Sequence, residues 1–587
     1  MFANLPSPQP SQPFPHHLSR IPPERGSTTA VPVMNEFDGA LVAWRDALGV
    51  QHVEISREKL AQVEHATFRC ERRIPAIISP STTAEVQQCM RIAAQHGVPV
   101  YPISRGRNWG LGSRLPAADD CVLMELSRMN RIVAHDEDLA YLTVEPGVTF
   151  AQATDYLRER NSAHYLSVIG GPPDASLIGN ALERGDGVGR YGDRLLHACE
   201  FEVVLPTGEC IHTGLGRYDG ALAGPVHRYG VGPVLDGLFS QSNFGIVTRA
   251  TFWLARKPSH FQSLLFTLAD DERMLAATEA VKDLMALGVV QPNSLAIWNA
   301  YKFATTDRQY PWDLTAGQKP LRPEQLDAMK SPWRGAKWIG VAGVYSASGA
   351  HARADRKLIA ARLKPLAARW LVVDRTKARL AMLFRGPLRR LGLDVDSVVR
   401  VLFSEPIFLG YPTKKSIGGC YWRKRMAVPA EPDPDRDRCG VLWLCPAVPF
   451  SPEHIQRATA LTCEICVRHG FEPHIAITFP SERCVYFLPS LLYDRDDAAE
   501  DAAAMRCHEE LFRALLGAGY YPHRLGIQSM GFLPPPDDDF AAVWARLKEA
   551  FDPAGILAPG RYEFGAVAHS RAEDNAPFDE APPVALK

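Results

Sequence analysis

The sequence predicts an α+β protein of two or three domains, and three observations lead there. The chain has 587 residues, enough for more than one core. Residues 75–103 run strand, capped helix, strand, whereas 198–213 carry the alternation and the Thr207-Gly208 turn of an antiparallel hairpin. The texture also changes at Pro258: dense glycine clusters mark residues 60–258 and do not recur over 259–500.

The elements follow in order. "MFANLPSPQPSQPFPHH" is proline-rich, with no basic patch leading into an apolar run, so it reads as a disordered arm rather than a signal peptide. A first helix completes residues 1–55. After the strand "PAII", Thr82 caps a helix and Glu85, three residues on, makes a capping box. Val86, Cys89, Met90 and Ala93 recur at helical spacing, and Gly97 ends the helix. "VPVYPIS" is a short buried strand that leads into the glycine loop "RGRNWGLGS". "CVLMEL" (121–126) and "LAYLTVEPG" (139–147) read as strands, and "TFAQATDYLRER" (149–160) as an amphipathic helix capped by Thr149.

"LIGNALERGDGVGRYGDR" (177–194) is a second glycine-rich region, and "FSQSNFGIVTRATFWL" (239–254) a third glycine turn into a strand. Beyond 258, basic helix-like segments (353–370, 376–392) mix with loops, and "AVPAEPDPDRDRCG" (427–440) reads as a polar surface loop. Helices are expected over 499–517 and 537–551, and a loose tail from 566.

Composition excludes several classes. Sixty-five basic and sixty-six acidic residues give no electrostatic footprint for nucleic acid or an anionic membrane. No apolar run approaches the roughly eighteen residues of a membrane span. Twelve cysteines without a regular framework read as reduced core residues, which favours the cytoplasm and leaves the periplasm open. Cys463 and Cys466 form a lone C-x-x-C on a helical segment, read as thiols on one buried face, so no metal is expected. Gly106, Gly110 and Gly112 are spaced neither as G-x-G-x-x-G nor as a P-loop.

Seven segments in order carry a resemblance: "YPISRGRNWGLGS", "TVEPGVTFAQATDYL", "LIGNALERGDGVGRYGD", "FEVVLPTGECIHTGLG", "GVGPVLDGLFSQSNFGIVTRATFWL", "LGYPTKKS" and "FDPAGILAPG". Together they resemble the vanillyl-alcohol oxidase / p-cresol methylhydroxylase family over residues 60–565. The resemblance implies FAD held by a discontinuous domain of two α+β subdomains, with an α+β cap domain inserted. The expected divisions are 56–258 for the FAD domain, 259–500 for the cap, 501–565 for the return and 566–587 for the tail. Ile103, Ser104, Arg105, Gly106, Arg107, Asn108, Trp109, Gly110, Gly112 and Ser113 are then the expected pyrophosphate cradle, which works through backbone N–H groups and needs no lysine. Gly179, Asn180, Gly185, Gly189 and Tyr191 are expected along the flavin and ribitol, and Gly245, Ile246 and Val247 at the adenine end.

Members of this family remove a hydride from a carbon para to a phenol, with the phenolate held by two tyrosines and an arginine. This chain departs from that clamp. Leu111 stands at the first tyrosine, His523 at the second and Arg524 at the arginine, with Tyr521 nearby. Three readings stay open: a phenolic substrate in an altered clamp, a non-phenolic alcohol or hydroxy acid whose carboxylate meets Arg524, and an FAD-binding homologue without turnover. For Arg524 alone, a surface ion pair is a fourth. The family's acidic residue near flavin N5 falls around Gly170-Gly171, with Asp174 close by. Tyr486 either tethers the flavin or is a core tyrosine, and Cys484 is a third candidate. The implied partners are a small-molecule substrate, oxygen or a separate cytochrome c-type electron acceptor, and a second copy in a homodimer.

Overall fold

The computed structural model describes residues 36–329, 335–374, 383–384, 406–533 and 539–563. The expected arm, the tail from 566 and nearly all of the helix expected over 376–392 lie outside the described residues.

β-branched Ile77 and Ile78 start a four-stranded sheet. Ile77–Ile78, Val122–Glu125 and Val100–Ile103 run parallel in that order, and Val53–Glu54 adds antiparallel. Parallel neighbours need a crossover, supplied by the helix Thr83–His96. Thr82 Oγ1 accepts from the N–H of Glu85, and the Glu85 carboxylate reaches back to the N–H of Ser81. Gly97, at φ 60°, closes the helix in the left-handed conformation. Val86, Cys89, Met90, Ile92 and Ala93 are buried, and full burial of a side chain such as Val86 contributes roughly 1.5–3 kcal/mol.

A five-stranded antiparallel sheet follows, in the order Ile132–Asp136, Tyr141–Val144, Ile246–Trp253, Ala198–Val204, Cys210–His212. Its last two strands are the hairpin expected at Thr207-Gly208. From His260 onward the chain builds an antiparallel sheet of eight strands. Seven lie in the order Arg369–Asp374, His260–Leu268, Trp338–Ser346, Leu295–Asn299, His474–Thr478, Cys484–Asp494, Cys439–Trp443, and Ala447–Pro449 pairs with Cys484–Asp494. The long helices Asp271–Ala286, Gly349–Leu363, Pro452–Arg468 and Ala498–Gly517 pack on it or on one another.

The division expected at residue 500 falls inside the helix Ala498–Gly517. Asp497 caps that helix by accepting from Ala499 and Glu500, and Ala504, Cys507 and Leu511 share a core with Leu491 and Tyr493. Further along the chain, residues 552–558 lie against the parallel sheet. Asp552 accepts from the N–H groups of Ile556 and Leu557, and Ile556 and Ala558 bond to Val100 along the edge of the parallel sheet.

Cys466 is buried and Cys463 half-buried on the helix Pro452–Arg468, and all twelve cysteines are free thiols. Among the described residues, no helix is long and apolar enough to cross a membrane.

Candidate active site

A cavity of about 1010 Å³ is walled by the glycine loop, residues 169–188 and 239–247, several segments of the eight-stranded sheet, and the C-terminal return. The glycine loop is held through its side chains. Arg107 pairs with Asp174 and Asp433, both at 2.8 Å; Trp109 Nε1 and Ser113 Oγ donate to Asp435 at 3.0 and 2.7 Å. Gly110 donates its N–H to Thr67 Oγ1, and a Cβ there would lie 2.2 Å from Trp443 Cδ1, so only glycine fits at its φ of 79°. Segment 427–440 is therefore a clamp rather than a free surface loop. Its aspartates fold onto the loop, and burial pushes the Asp435 carboxyl up to about 7.

This bracing leaves the N–H groups of Arg105, Gly106, Arg107, Asn108 and Trp109 without a partner among the described residues, and all five residues line the cavity. Consecutive free amides suit a pyrophosphate. Buried polar atoms without a partner also lie on wall residues: Asp186 Oδ1, Asn243 Oδ1, Asn293 Oδ1, His523 Nδ1 and Arg524 Nε. Volume, cradle and unpaired polar atoms fit a dinucleotide such as FAD.

Of the residues expected from sequence, Ile103 to Trp109, Leu111, Gly112, Ser113, Gly179, Asn180, Gly245, Ile246, Val247, His523 and Arg524 line the cavity. Gly110, Gly185, Gly189, Tyr191, Tyr486 and Tyr521 do not. Gly110, Gly185 and Gly189 spend their N–H groups on Thr67, Asn180 and Asn293. Tyr191 is exposed and stacks on His197, and Tyr521 is 53 % exposed, so neither reaches the cavity. Tyr486 stacks flat on the His523 ring at 3.7 Å. Gly170 and Gly171 line the wall, while Asp174 is held by Arg107 outside it.

Arg524 makes no ion pair among the described residues: its Nη2 donates to Asn108 Oδ1 at 2.6 Å. Burial, helped by Arg524, pushes His523 down to about 3, so its ring is neutral at pH 7.

Two wall residues went unnoticed in the sequence. Asp186 accepts from Thr478 Oγ1 at 2.8 Å, and burial raises its carboxyl to about 6. Lys302 Nζ lies 4.3 Å over the Trp443 ring and 3.3 Å from Ser490 Oγ, and burial lowers its ammonium to about 8. The signal for Asp186 was an acid inside a glycine-rich run; for Lys302 it was a cation three residues after the apolar strand "LAIWN". Elsewhere, Glu202, Cys210 and His212 form the one metal-ligand cluster among the described residues, and Glu202 is already engaged by Thr83, Thr248 and Arg249.

Comparison with known proteins decides the family. A family model for an FAD binding domain matches residues 74–214. The chain is 45 % identical over 529 residues to 1'-carboxy-chondrochloren decarboxylase of Chondromyces crocatus, covering 90 % of this chain and 97 % of that protein. It is 27 % identical to the 4-cresol dehydrogenase [hydroxylating] flavoprotein subunit of Pseudomonas putida, covering 90 % and 95 %.

The chain belongs to the vanillyl-alcohol oxidase / p-cresol methylhydroxylase family.

Substrate-bound p-cresol methylhydroxylase, a member of this family, superposes with a TM-score of 0.80 at 25 % identity, over 90 % of this chain and 97 % of that one. The 4-ethylphenol oxidase of Gulosibacter chungangensis shares the fold, with a TM-score of 0.81 at 24 % identity over 92 % and 99 %. The protein is thus an FAD-linked oxidoreductase with the family's α+β fold.

Proposed function

We propose that the protein oxidises a largely apolar aryl-alkyl carboxylic acid, removing a hydride from the carbon beside the ring while the neighbouring carbon loses CO₂. The balance closes within the substrate. An Ar–CH₂–CHX–COO⁻ anion gives up one hydride, and the electron pair of its C–COO bond becomes the new C=C bond of Ar–CH=CHX. Bound FAD supplies the two-electron acceptor for that hydride. The free amides of Arg105 to Trp109 would hold its pyrophosphate.

The observation that carries this reading is the altered clamp. Tyr101 is the one tyrosine among the described wall residues, and its hydroxyl is engaged by Arg561. Leu111 and neutral His523 offer no hydroxyl to a phenolate, so recognition of a phenol oxygen is weakened. The relative that this chain matches over 97 % of its length is named a decarboxylase, which supports CO₂ as a product. In this reading Leu111, Ile527 and Trp443 enclose the apolar body and exclude water. Arg524, already bonded to Asn108, braces the glycine loop and keeps its remaining donors for the ligand.

A second reading, hydride removal from a 4-alkylphenol without CO₂ loss, is favoured by Arg524 on the wall. Anaerobic titration of the FAD-loaded protein with 3-(4-hydroxyphenyl)propanoate and with 4-ethylphenol separates the two. Bleaching by the acid with stoichiometric CO₂ is expected. Bleaching by 4-ethylphenol alone would establish the second reading, and bleaching by the acid without CO₂ would reduce the first to a simple dehydrogenation. Colour return in air, compared with return on adding cytochrome c, identifies the electron acceptor.

A further inference from the structure

The cap-side wall of the cavity holds a cation that the protein itself does not neutralise. Asn299 Oδ1 accepts from the N–H of Lys302 and so fixes the turn that carries this side chain inward from the strand Leu295–Asn299. No carboxylate among the described residues forms an ion pair with Lys302; its contacts are the Trp443 ring and Ser490 Oγ. The titratable groups that act on it, or on which it acts, carry no charge near neutrality. Burial holds the Cys420 thiol up at about 12 and the His474 ring down at about 3.

Lys302 is half-buried; of the fully buried cations, Arg194 is held by Asn180 Oδ1 and the carbonyls of Ser167 and Gly185, while two others are ion-paired. Arg423 meets Glu472 and Glu500, and Lys424 meets Asp494 and Asp496. A buried ammonium without an anion is costly. In a cavity, the missing anion is naturally a ligand's.

We infer that Lys302 is the binding residue for the carboxylate of the substrate, and that the substrates are 3-arylpropanoates and their 2-substituted relatives. This rests on the decarboxylation reading above. The position of Trp443 supports it. Its indole abuts Gly110, next to Leu111, on one side and carries the Lys302 ammonium over its face. One indole therefore spans from the vacated clamp position to the cation. An aryl group packed against Leu111 and Trp443 directs a short side chain towards Nζ. The ammonium then gains a charge-assisted hydrogen bond.

Two ligands that cannot lose a hydride test this: 4-hydroxycinnamate and 4-vinylphenol, which differ only by the carboxylate. Each is titrated into the FAD-loaded protein and followed by the visible flavin spectrum. Lys302→Met is expected to weaken 4-hydroxycinnamate at least tenfold and 4-vinylphenol less than twofold, with Lys302→Arg recovering part of the loss. Lys302→Gln, with its FAD spectrum intact, repeats the measurement in a second background. Equal weakening of both ligands would assign Lys302 to the phenol oxygen and overturn the inference. Unchanged affinities, or a wild-type protein that does not bind 4-hydroxycinnamate, overturn it as well. The CO₂ measurement fails independently: a selective loss in Lys302→Met without any CO₂ from the wild type sinks the decarboxylation reading and keeps the carboxylate contact.

Discussion

Ser490 Oγ and the face of Trp443 replace only part of the water that an ammonium group loses when it enters the cavity wall at Lys302. The consequence for stability has a definite sign. Burial lowers the folded-state value to about 8, against roughly 10.4 in an unfolded chain. The penalty is complete below pH 8 and fades as pH rises towards the unfolded value. Lys302→Met should therefore stabilise the apoprotein at pH 7 by about 2 kcal/mol, and the gain should shrink between pH 8 and 10. Thermal melts at pH 7 and pH 10 check this; a destabilised variant at pH 7 would mean that an anionic partner holds the lysine in the free protein. Stability gained where substrate affinity is lost is the usual mark of a functional group.

At the scale of elements, the glycine loop depends on a clamp more than three hundred residues away. Asp435 accepts from Trp109 and Ser113, Asp433 from Arg107, and together they tie the loop to segment 427–440. Removing the Asp435 carboxylate leaves the Trp109 N–H and the Ser113 hydroxyl without their acceptor. Asp435→Ala should weaken FAD binding roughly tenfold, the equivalent of about 1.4 kcal/mol. Fluorescence titration of the stripped protein with FAD measures it. Protonation of Asp435 removes one acceptor oxygen, so wild-type affinity should also decline as pH falls below about 7. The strand Cys484–Asp494 bears on the tether. Tyr486 is stacked on His523 and off the cavity wall, and the wall thiols Cys420 and Cys445 are pushed up to about 12 and 11 by burial. None is poised as a nucleophile. FAD should accordingly leave with the supernatant on acid precipitation, from the wild type and from Tyr486→Phe alike; yellow pellets from the wild type alone would make Tyr486 the tether.

Over the whole molecule, local signals were the legible ones. The capped helix Thr83–His96, the hairpin at Gly208 and the glycine loop are each written in a few adjacent residues, and Leu111 of that loop and Arg524 of the C-terminal motif both line the cavity. The residues that were missed take their meaning from distant partners. Nothing near Lys302 in the chain announces Trp443, and the run "DPDRD" looks like solvated surface until its aspartates meet the glycine loop. The same holds for Arg423, which is 1 % exposed and joins Glu472 to Glu500, while Trp422 also donates to Glu472. This network connects the ends of the helices Pro452–Arg468 and Ala498–Gly517 to the turn Lys415–Tyr421, whose Ile417, Gly419 and Cys420 line the cavity. Arg423→Met would strand the Glu472 carboxylate in the core, while Glu500 keeps its pair with Lys319 at 2.9 Å, a loss of about 3–5 kcal/mol. Since Arg423 holds the Glu472 carboxyl below its ordinary value against burial, the variant should regain stability as the pH falls and Glu472 takes up a proton. Adding Glu472→Gln should recover much of the loss at pH 7, because the stranded charge goes with the cation. Urea midpoints of the single and double variants decide the matter. A single variant as stable as the wild type would mean that the network contributes packing rather than charge.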